Sequence, residues 1–532
     1  MVVVWPDRTF TTIIHPATDT LIVVQQPAVA GKIYNMPSVK LLKPLLTEVS
    51  NTLEKHTEND YIDFYNERNL PEMLSREGPQ IAKGDVNADG LDDIFIGGAT
   101  NQSGQLYIQT EKGFVRKQET AFTQYADFED VAVLFFDADK DGDLDLFVGS
   151  GGNTEHLGSR EIQHRLYKND GKGNFALDSK AFPINSMNIA VAIANDYDGD
   201  GDLDLFVGSR SVPMAYGLTP ESYLYNNDGQ GHFTDVAKSL NENIAHAGMV
   251  TGAVWADLDG DSKSELIITG EWMATKIFSW NGKVFKQLEN TGLENLSGWW
   301  QTVAATDVNN DGKMDLIIGN IGDNFYLRPS MGKPVKMWLR DYDQSGTIDQ
   351  FITKTVKGKD VPIFLKKEIV DQFPILKKQN LKNIAYAEKS VQELFGEDKM
   401  KTATVRVFNY SSSVVAVNNG KGSFQVQPLP VNVQLSSVKA ICTADVNSDG
   451  KTDLILGGNN FNFPPQFGRV DASYGHLLIN IGNAAFRYID QMESGINVKG
   501  ETKDIKEVII KGKKHFLFTQ NDGLPVLYQL EK

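Results

Sequence analysis

The sequence predicts an all-β fold, a β-propeller of seven four-stranded blades, and three observations predict it. One nine-residue aspartate-rich loop recurs seven times along the 532 residues. The stretches beside the loops are apolar and β-branched, as in Val131 to Phe136 and Leu146 to Val148, and lack a helical period. Glycine is frequent, at 47 residues, as a chain of short strands and tight turns requires.

The loops carry an oxygen-bearing side chain at positions 1, 3, 5 and 9. The first has Asp85, Asn87, Asp89 and Asp93; the second Asp137, Asp139, Asp141 and Asp145; the third Asp196, Asp198, Asp200 and Asp204. The fourth has Asp257, Asp259, Asp261 and Glu265; the fifth Asp307, Asn309, Asp311 and Asp315. The sixth has Asp341, Asp343, Ser345 and Asp349; the seventh Asp445, Asn447, Asp449 and Asp453. Three or four carboxylates in nine residues repel one another unless a cation neutralises them. Hard oxygen ligands at alternating positions, with glycine at position 6 for a sharp turn, suit Ca²⁺. Several structural calcium ions are therefore expected as staples between strands, their binding free energy becoming folding free energy. Seven of them would bring the formal charge from −17 to −3. The second and third loops, with four aspartates each, are expected to bind most tightly. The fourth, with Ser262 in place of glycine, and the sixth, with Ser345 at position 5, are expected to be weaker.

The first four gaps between loops, 52, 59, 61 and 50 residues, each fit one blade. Hairpins with Asn/Asp-Gly turns fill the back half of several blades, at Leu166 to Phe175, Leu224 to Phe233 and Val417 to Phe424. The gap from Asp307 to Asp341 is only 34 residues, so the sixth loop is expected in a hairpin of the fifth blade. If it owns a blade instead, the ring has eight. Lys366 to Met400 has helical periodicity and reads as a small helical insertion on one face. The end of the chain has strands but no aspartate loop, and a strand near Tyr61 to Tyr65 is expected to complete that last blade and hide its edge.

The loops resemble the FG-GAP/VCBS repeats that also occur in integrin α-subunit propellers. Residues 78–99, 269–272, 298–320 and 468–475 look closer still to bacterial proteins, common in Bacteroidota, that join such repeats to an ASPIC/UnbV domain. Residues 3–28 look like the end of that domain. The expected organisation is then a terminal ASPIC/UnbV-like piece over 1–30, a linker over 31–59 and the propeller over 60–532 with its insertion at 366–400. The N-terminus reads as a strand entered midway, so more protein is expected upstream. The resemblance implies an extracytoplasmic protein, at the outer-membrane surface, periplasmic or secreted, where modest calcium sites stay filled.

A net charge of −17 repels phosphate backbones and excludes nucleic acid as a partner. No apolar run is long enough to span a membrane as a helix, and the single cysteine, Cys442, reads as a small buried hydrophobe. No nucleophile elbow, zinc helix or phosphate loop is present, and no catalytic residue is assigned. His164 and His246 read as surface residues of inter-strand loops. A ligand face is expected from the segments after each second strand: Asn153, Arg210, Glu271, Trp272, Asn320, Asn324 and Asn459, joined by Arg469, Asp471, Tyr474, Trp299 and Trp300. Amides, carboxylates and aromatics in that mixture suit a sugar or a peptide. The functional expectation is a non-enzymatic propeller that binds a protein or glycan at the cell envelope, or serves a larger surface assembly. The alternative is an envelope enzyme acting on polysaccharide through Glu271, Asp323, Arg469 and Asp471.

Overall fold

The computed structural model of the protein describes residues 1–17, 19–26, 32–35, 43–380, 382–420 and 422–531. The chain divides into two compact units, Met1–Lys43 and Pro44–Lys532. In the small unit, Val2–Val4 and Phe10–Thr12 form an antiparallel hairpin whose turn is tied by Asp7, which accepts hydrogen bonds from the amide and hydroxyl of Thr9. Parts of the ASPIC/UnbV-like stretch expected over 1–30 and of the linker expected over 31–59 lie outside the described residues.

The large unit is built of four-stranded antiparallel sheets, and most of their second strands, such as Asp145–Ser150, are buried along their whole length, as continuous apolar runs in strands packed on both faces are. Seven follow one plan. Their first strands are Ile81–Gly84, Asp130–Phe136, Asn188–Asn195, Met249–Ala256, Thr302–Thr306, Val438–Ala444 and Glu501–Ile510. In the first six an aspartate loop leads into a second strand that begins at loop position 9: Asp93–Ile96, Asp145–Ser150, Asp204–Ser211, Glu265–Met273, Asp315–Gly319 and Asp453–Gly458. A hairpin of two further strands completes each sheet. One apolar core lies between each successive pair of sheets, and a seventh joins Val508, Leu517 and Leu527 of the last sheet to Ile81, Ile94 and Tyr107 of the first. The row of sheets returns on itself, as in a propeller. Seven first strands line a cavity of about 430 Å³ through the middle.

The glycines that end the second strands have a packing reason. A Cβ on Gly149 would lie 2.0 Å from Ile189 Cδ1 of the next sheet, and one on Gly319 would lie 2.3 Å from the Val438 carbonyl oxygen. The sheets converge at this end, and only glycine admits the neighbouring strand.

Three expectations are corrected. The last sheet is completed by Leu46–Val49, which pairs with Val526–Leu530, and not by Tyr61 to Tyr65, where Asp63–Tyr65 is a single 3₁₀ turn. Leu46 is fully enclosed and its neighbours alternate, whereas the carboxylate of Asp63 turns inward to accept from the amides of Leu74 and Ser75. The sixth aspartate loop does not belong to a hairpin of the fifth sheet. It joins Val335–Arg340 to Asp349–Val356 in a separate four-stranded sheet, with Lys359–Pro362 and Thr404–Phe408, inserted between the second and third strands of the fifth sheet. Short helices from Lys366–Gln372 to Glu397–Lys401 pack on that sheet around Phe373, Leu394 and Tyr342. Finally, His164 is not a surface residue: its ring is buried among Phe147, Phe182, Tyr223 and Tyr225. His246 is exposed beside Glu242.

Candidate functional site

Each aspartate loop is wound by its own backbone. The amide of position 6 donates to the position 1 carboxylate in every loop, at 2.7 Å for Gly90 on Asp85 and 2.9 Å for Ser262 on Asp257. Position 6 is left-handed throughout, with φ of 92° at Gly142 and 69° at Ser262. The position 9 carboxylate is buried at the base. In six loops one oxygen accepts from the amide of position 2, as in Ala138 on Asp145 at 3.1 Å, and in five the other accepts from an amide of the third strand, as in Asn169 on Asp145 at 2.8 Å. Burial pushes the carboxyl groups of Asp145, Asp204 and Glu265 up to about 7 and that of Asp93 up to about 6, against the pull of these amides.

Four groups of three carboxylates converge within 4.8 Å: Asp137, Asp139 and Asp145; Asp196, Asp198 and Asp204; Asp257, Asp259 and Glu265; Asp341, Asp343 and Asp349. These could hold a metal ion. Oδ1 of Asp137 and of Asp139 and Oδ2 of Asp204 are enclosed without a hydrogen-bond partner, an arrangement that a divalent cation fits and water-free protein does not favour. The fourth and sixth loops converge like the second and third, because Glu265 reaches the same place as an aspartate and position 5 stands outside each triad. Position 5 instead accepts from the amide of position 7, as Asp141 does from Asp143 and Asp261 from Lys263. In the first, fifth and seventh loops Asn87, Asn309 and Asn447 supply an amide oxygen where the others have a carboxylate, and each accepts from the amide of position 5.

The opposite end of the strands carries the expected ligand residues, and most are enclosed. Asn153, Arg210, Glu271, Trp272, Asn320 and Asn459 are buried, as are Trp299 and Trp300; Asn324, Arg469, Asp471 and Tyr474 are exposed. Arg210 lies among three carboxylates, 2.6 Å from Glu72, 2.5 Å from Glu271 and paired with Glu77. Tyr216 donates to Glu271 at 2.8 Å, and the indole of Trp272 donates to Tyr216 at 2.9 Å. Burial pushes Glu271 up to about 7 despite Arg210. Glu72 also accepts from Asn460 and from the Trp299 indole, so the segment around Leu70 to Glu77 is bolted across this end of the ring. Asp323 accepts from the hydroxyls of Ser411 and Ser412. Of the four residues of the enzymatic alternative, Glu271 is enclosed, whereas Asp323, Arg469 and Asp471 are exposed.

A cavity of about 560 Å³ opens beside this network. Tyr61, Asn66, Glu67 and Arg68 form one wall, Thr154 and Met214 another, and Asp349, Gln350 and Gln372 a third. Glu67 is set by Asn153, whose Nδ2 donates to it at 2.6 Å, and by the amide of Tyr216. Burial raises the Glu67 carboxyl above its usual range. The other end of Asn153 accepts from the amide of Met214, a non-glycine residue held at φ 57°, a conformation that costs on the order of 1–3 kcal/mol and recurs at functional sites. Asn153, expected as a ligand residue, holds Glu67 and Met214 of this wall in place.

The FG-GAP-like repeat family matches residues 85–148, 196–268 and 257–318, segments that begin at loop aspartates Asp85, Asp196 and Asp257. Among solved structures, the biofilm matrix protein Bap1 of V. cholerae is 9% identical over 90% of this chain and 91% of its own, with a TM-score of 0.35. An ancestral GH74 enzyme is 9% identical over 86% of this chain and 51% of its own, with a TM-score of 0.38. Comparison with curated proteins finds no match.

The aspartate-loop repeats share one feature that the sequence reading missed. Asn169, on the third strand of the second sheet, donates to the carbonyl of Leu144 at 3.1 Å and, across to the first sheet, to the carbonyl of Val86 at 2.8 Å. Val86 is position 2 of the preceding loop. Asn227 reaches Ala138, Asn418 reaches Leu258 and Asn480 reaches Val308 in the same way. Gln109 closes the first sheet onto the carbonyl of Ile509 in the last. Between the third and fourth repeats Trp280 instead packs edge-on against Tyr197, itself at loop position 2, with ring centroids 5.2 Å apart. The signal was present as the asparagine before each hairpin turn, which the sequence reading assigned to turn geometry alone.

Proposed function

We propose that this chain is a seven-bladed, calcium-stapled propeller that binds a protein or glycan at the cell envelope and performs no chemistry on it. The observation that carries this reading is the division of labour between the ends of the strands. Six aspartate loops join first to second strands at one end, where a cation ties the strands of its own blade. The recessed cavity lies at the other end, among the segments that follow the second strands. The residues suited to hold Ca²⁺ are the carboxylates at loop positions 1, 3 and 9, and the charge it supplies offsets the repulsion of those groups. Extracytoplasmic calcium levels would keep such sites filled. The strand pair near the N-terminus is compatible with the end of an ASPIC/UnbV-like domain joined to a surface protein. Among the described residues no helix is long and apolar enough to cross a membrane.

Affinity capture tests the reading. The calcium-loaded full chain, immobilised, is expected to retain a defined glycan or envelope protein from purified envelope fractions, and to leave defined polysaccharides uncleaved. Chain-length reduction of a polysaccharide by the purified protein would refute the non-enzymatic part.

A further inference from the structure

The sixth aspartate loop stands apart from the other six by topology. Those six connect a first strand to a second, so they gather at the end of the strands remote from the cavity. The sixth sits in the sheet inserted after the second strand Asp315–Gly319 of the fifth blade, which carries it to the cavity end. There Thr347, Ile348, Asp349 and Gln350 line the 560 Å³ cavity itself. Asp349 belongs at once to the converging triad with Asp341 and Asp343 and to the cavity wall. Its inner support also differs. Where five of the other loops hold position 9 with a third-strand amide, Asp349 accepts from the side chain of Gln372, at 2.7 Å, on the helix Lys366–Gln372. The Oε1 of Gln372 is enclosed without a partner on this same wall.

The chemistry of the cavity selects among ligands. Asn66, Gln350 and Gln372 offer amides that both donate and accept, and Thr154 and Thr347 offer hydroxyls. Charges are few and opposed: Glu67 and Asp349 against Arg68 and whatever cation the triad holds. Tyr61, Met214 and Ile348 present apolar surface between them. Mixed donors and acceptors around apolar patches, with one carboxylate in excess over the guanidinium to disfavour anions, fit the vicinal hydroxyls and C–H faces of a neutral sugar, and the volume lies within the roughly 300–1,000 Å³ of small-molecule sites. We propose that this cavity is a binding site for a neutral saccharide and that the sixth aspartate loop, by fixing Asp349 and Gln350, makes the site dependent on a divalent cation. This rests on the ligand-binding reading above and narrows it to one site and one ligand class.

The test uses the full-length chain in calcium, probed with an array of defined neutral and uronic-acid oligosaccharides. At least one neutral oligosaccharide is expected to bind. The Asn66→Ala/Arg68→Ala double variant, altered at exposed side chains, should bind it at least tenfold more weakly while melting as the parent does. Asp343→Asn, which alters the sixth loop without touching the cavity wall, should also weaken binding about tenfold; this variant replaces chelation, which would loosen the whole ring. Undiminished binding by the double variant would overturn the cavity while leaving glycan recognition intact. Undiminished binding by Asp343→Asn would overturn the cation dependence. Binding confined to uronic acids would overturn the neutral ligand class, and no binding to the array at all would overturn both this inference and the glycan half of the proposed function.

Discussion

Ser262 shows how little a single residue needs to change to keep a loop working. It occupies the left-handed position that glycine fills in the other six loops, at φ 69°, and its amide still reaches Asp257. An L-residue there costs on the order of 1–2 kcal/mol, partly offset by the lower chain entropy of the unfolded serine. Ser262→Gly should therefore raise stability by about 0.5–1 kcal/mol in a denaturant titration; a loss of stability would show that the hydroxyl has a role of its own. His164 makes the opposite point. Neither ring nitrogen has a hydrogen-bond partner, and burial lowers its pKa from 6.5 to about 3. The unfolded chain thus binds a proton on this group below pH 6.5 that the folded chain refuses until about pH 3. Its contribution is complete above pH 6.5 and falls as the pH drops through that window, by roughly 2 kcal/mol at pH 5. His164→Phe should flatten the acid limb of stability against pH by that amount, whereas an unchanged slope would mean the ring is reached by solvent. His164 read as exposed from its expected place in an inter-strand loop, where its neighbours are the polar Gln163 and Arg165. Both are drawn inward instead, Arg165 by Asp130 at 2.5 Å and Gln163 by the carbonyl of Asn185 at 2.7 Å. Local polarity could not reveal this, because the partners are distant in sequence.

At the scale of an element, the aspartate loop and its flanking strands were legible because every determinant lies within a dozen residues. The glycine closing each second strand was visible too, but its reason was not: Gly319 is small because Val438, far along the chain, arrives against it. The same limit hid the asparagine staples. Asn418 donates to Met314 in its own sheet and to Leu258 in the neighbouring one, at 3.1 and 2.7 Å, and only the second contact explains why the residue must reach so far. Asn418→Ala would leave two buried carbonyls unpaired, a loss of about 1–3 kcal/mol. Asn174, on the surface of its turn, provides the comparison. If Asn418→Ala and Asn174→Ala unfold at the same denaturant concentration, the staple is not a stabilising contact. The closing strand escaped for a related reason. Leu46 to Val49 is too short and too ordinary in composition to announce itself, and it becomes a strand only because the edge of Val526–Leu530 waits for it.

For the whole molecule, ring closure is the problem that these devices solve together. Apolar cores fill the space between sheets, side-chain staples tie most repeats to the one before, and carboxylate triads in three of the blades bring loop and second strand together. The last tie gathers like charges and leaves enclosed oxygens unpaired, and the proposed cation would complete it. The insertion then places a seventh such loop on the face where a ligand would sit, turning a device of stability toward recognition. The central claim, that divalent cations complete the fold, is tested most directly by calorimetric melting of the full chain with saturating Ca²⁺ and after chelation. The account predicts a melting temperature lowered by chelation and restored by Ca²⁺, with Asp198→Asn reducing the size of that shift. An identical melt with and without Ca²⁺ would contradict it.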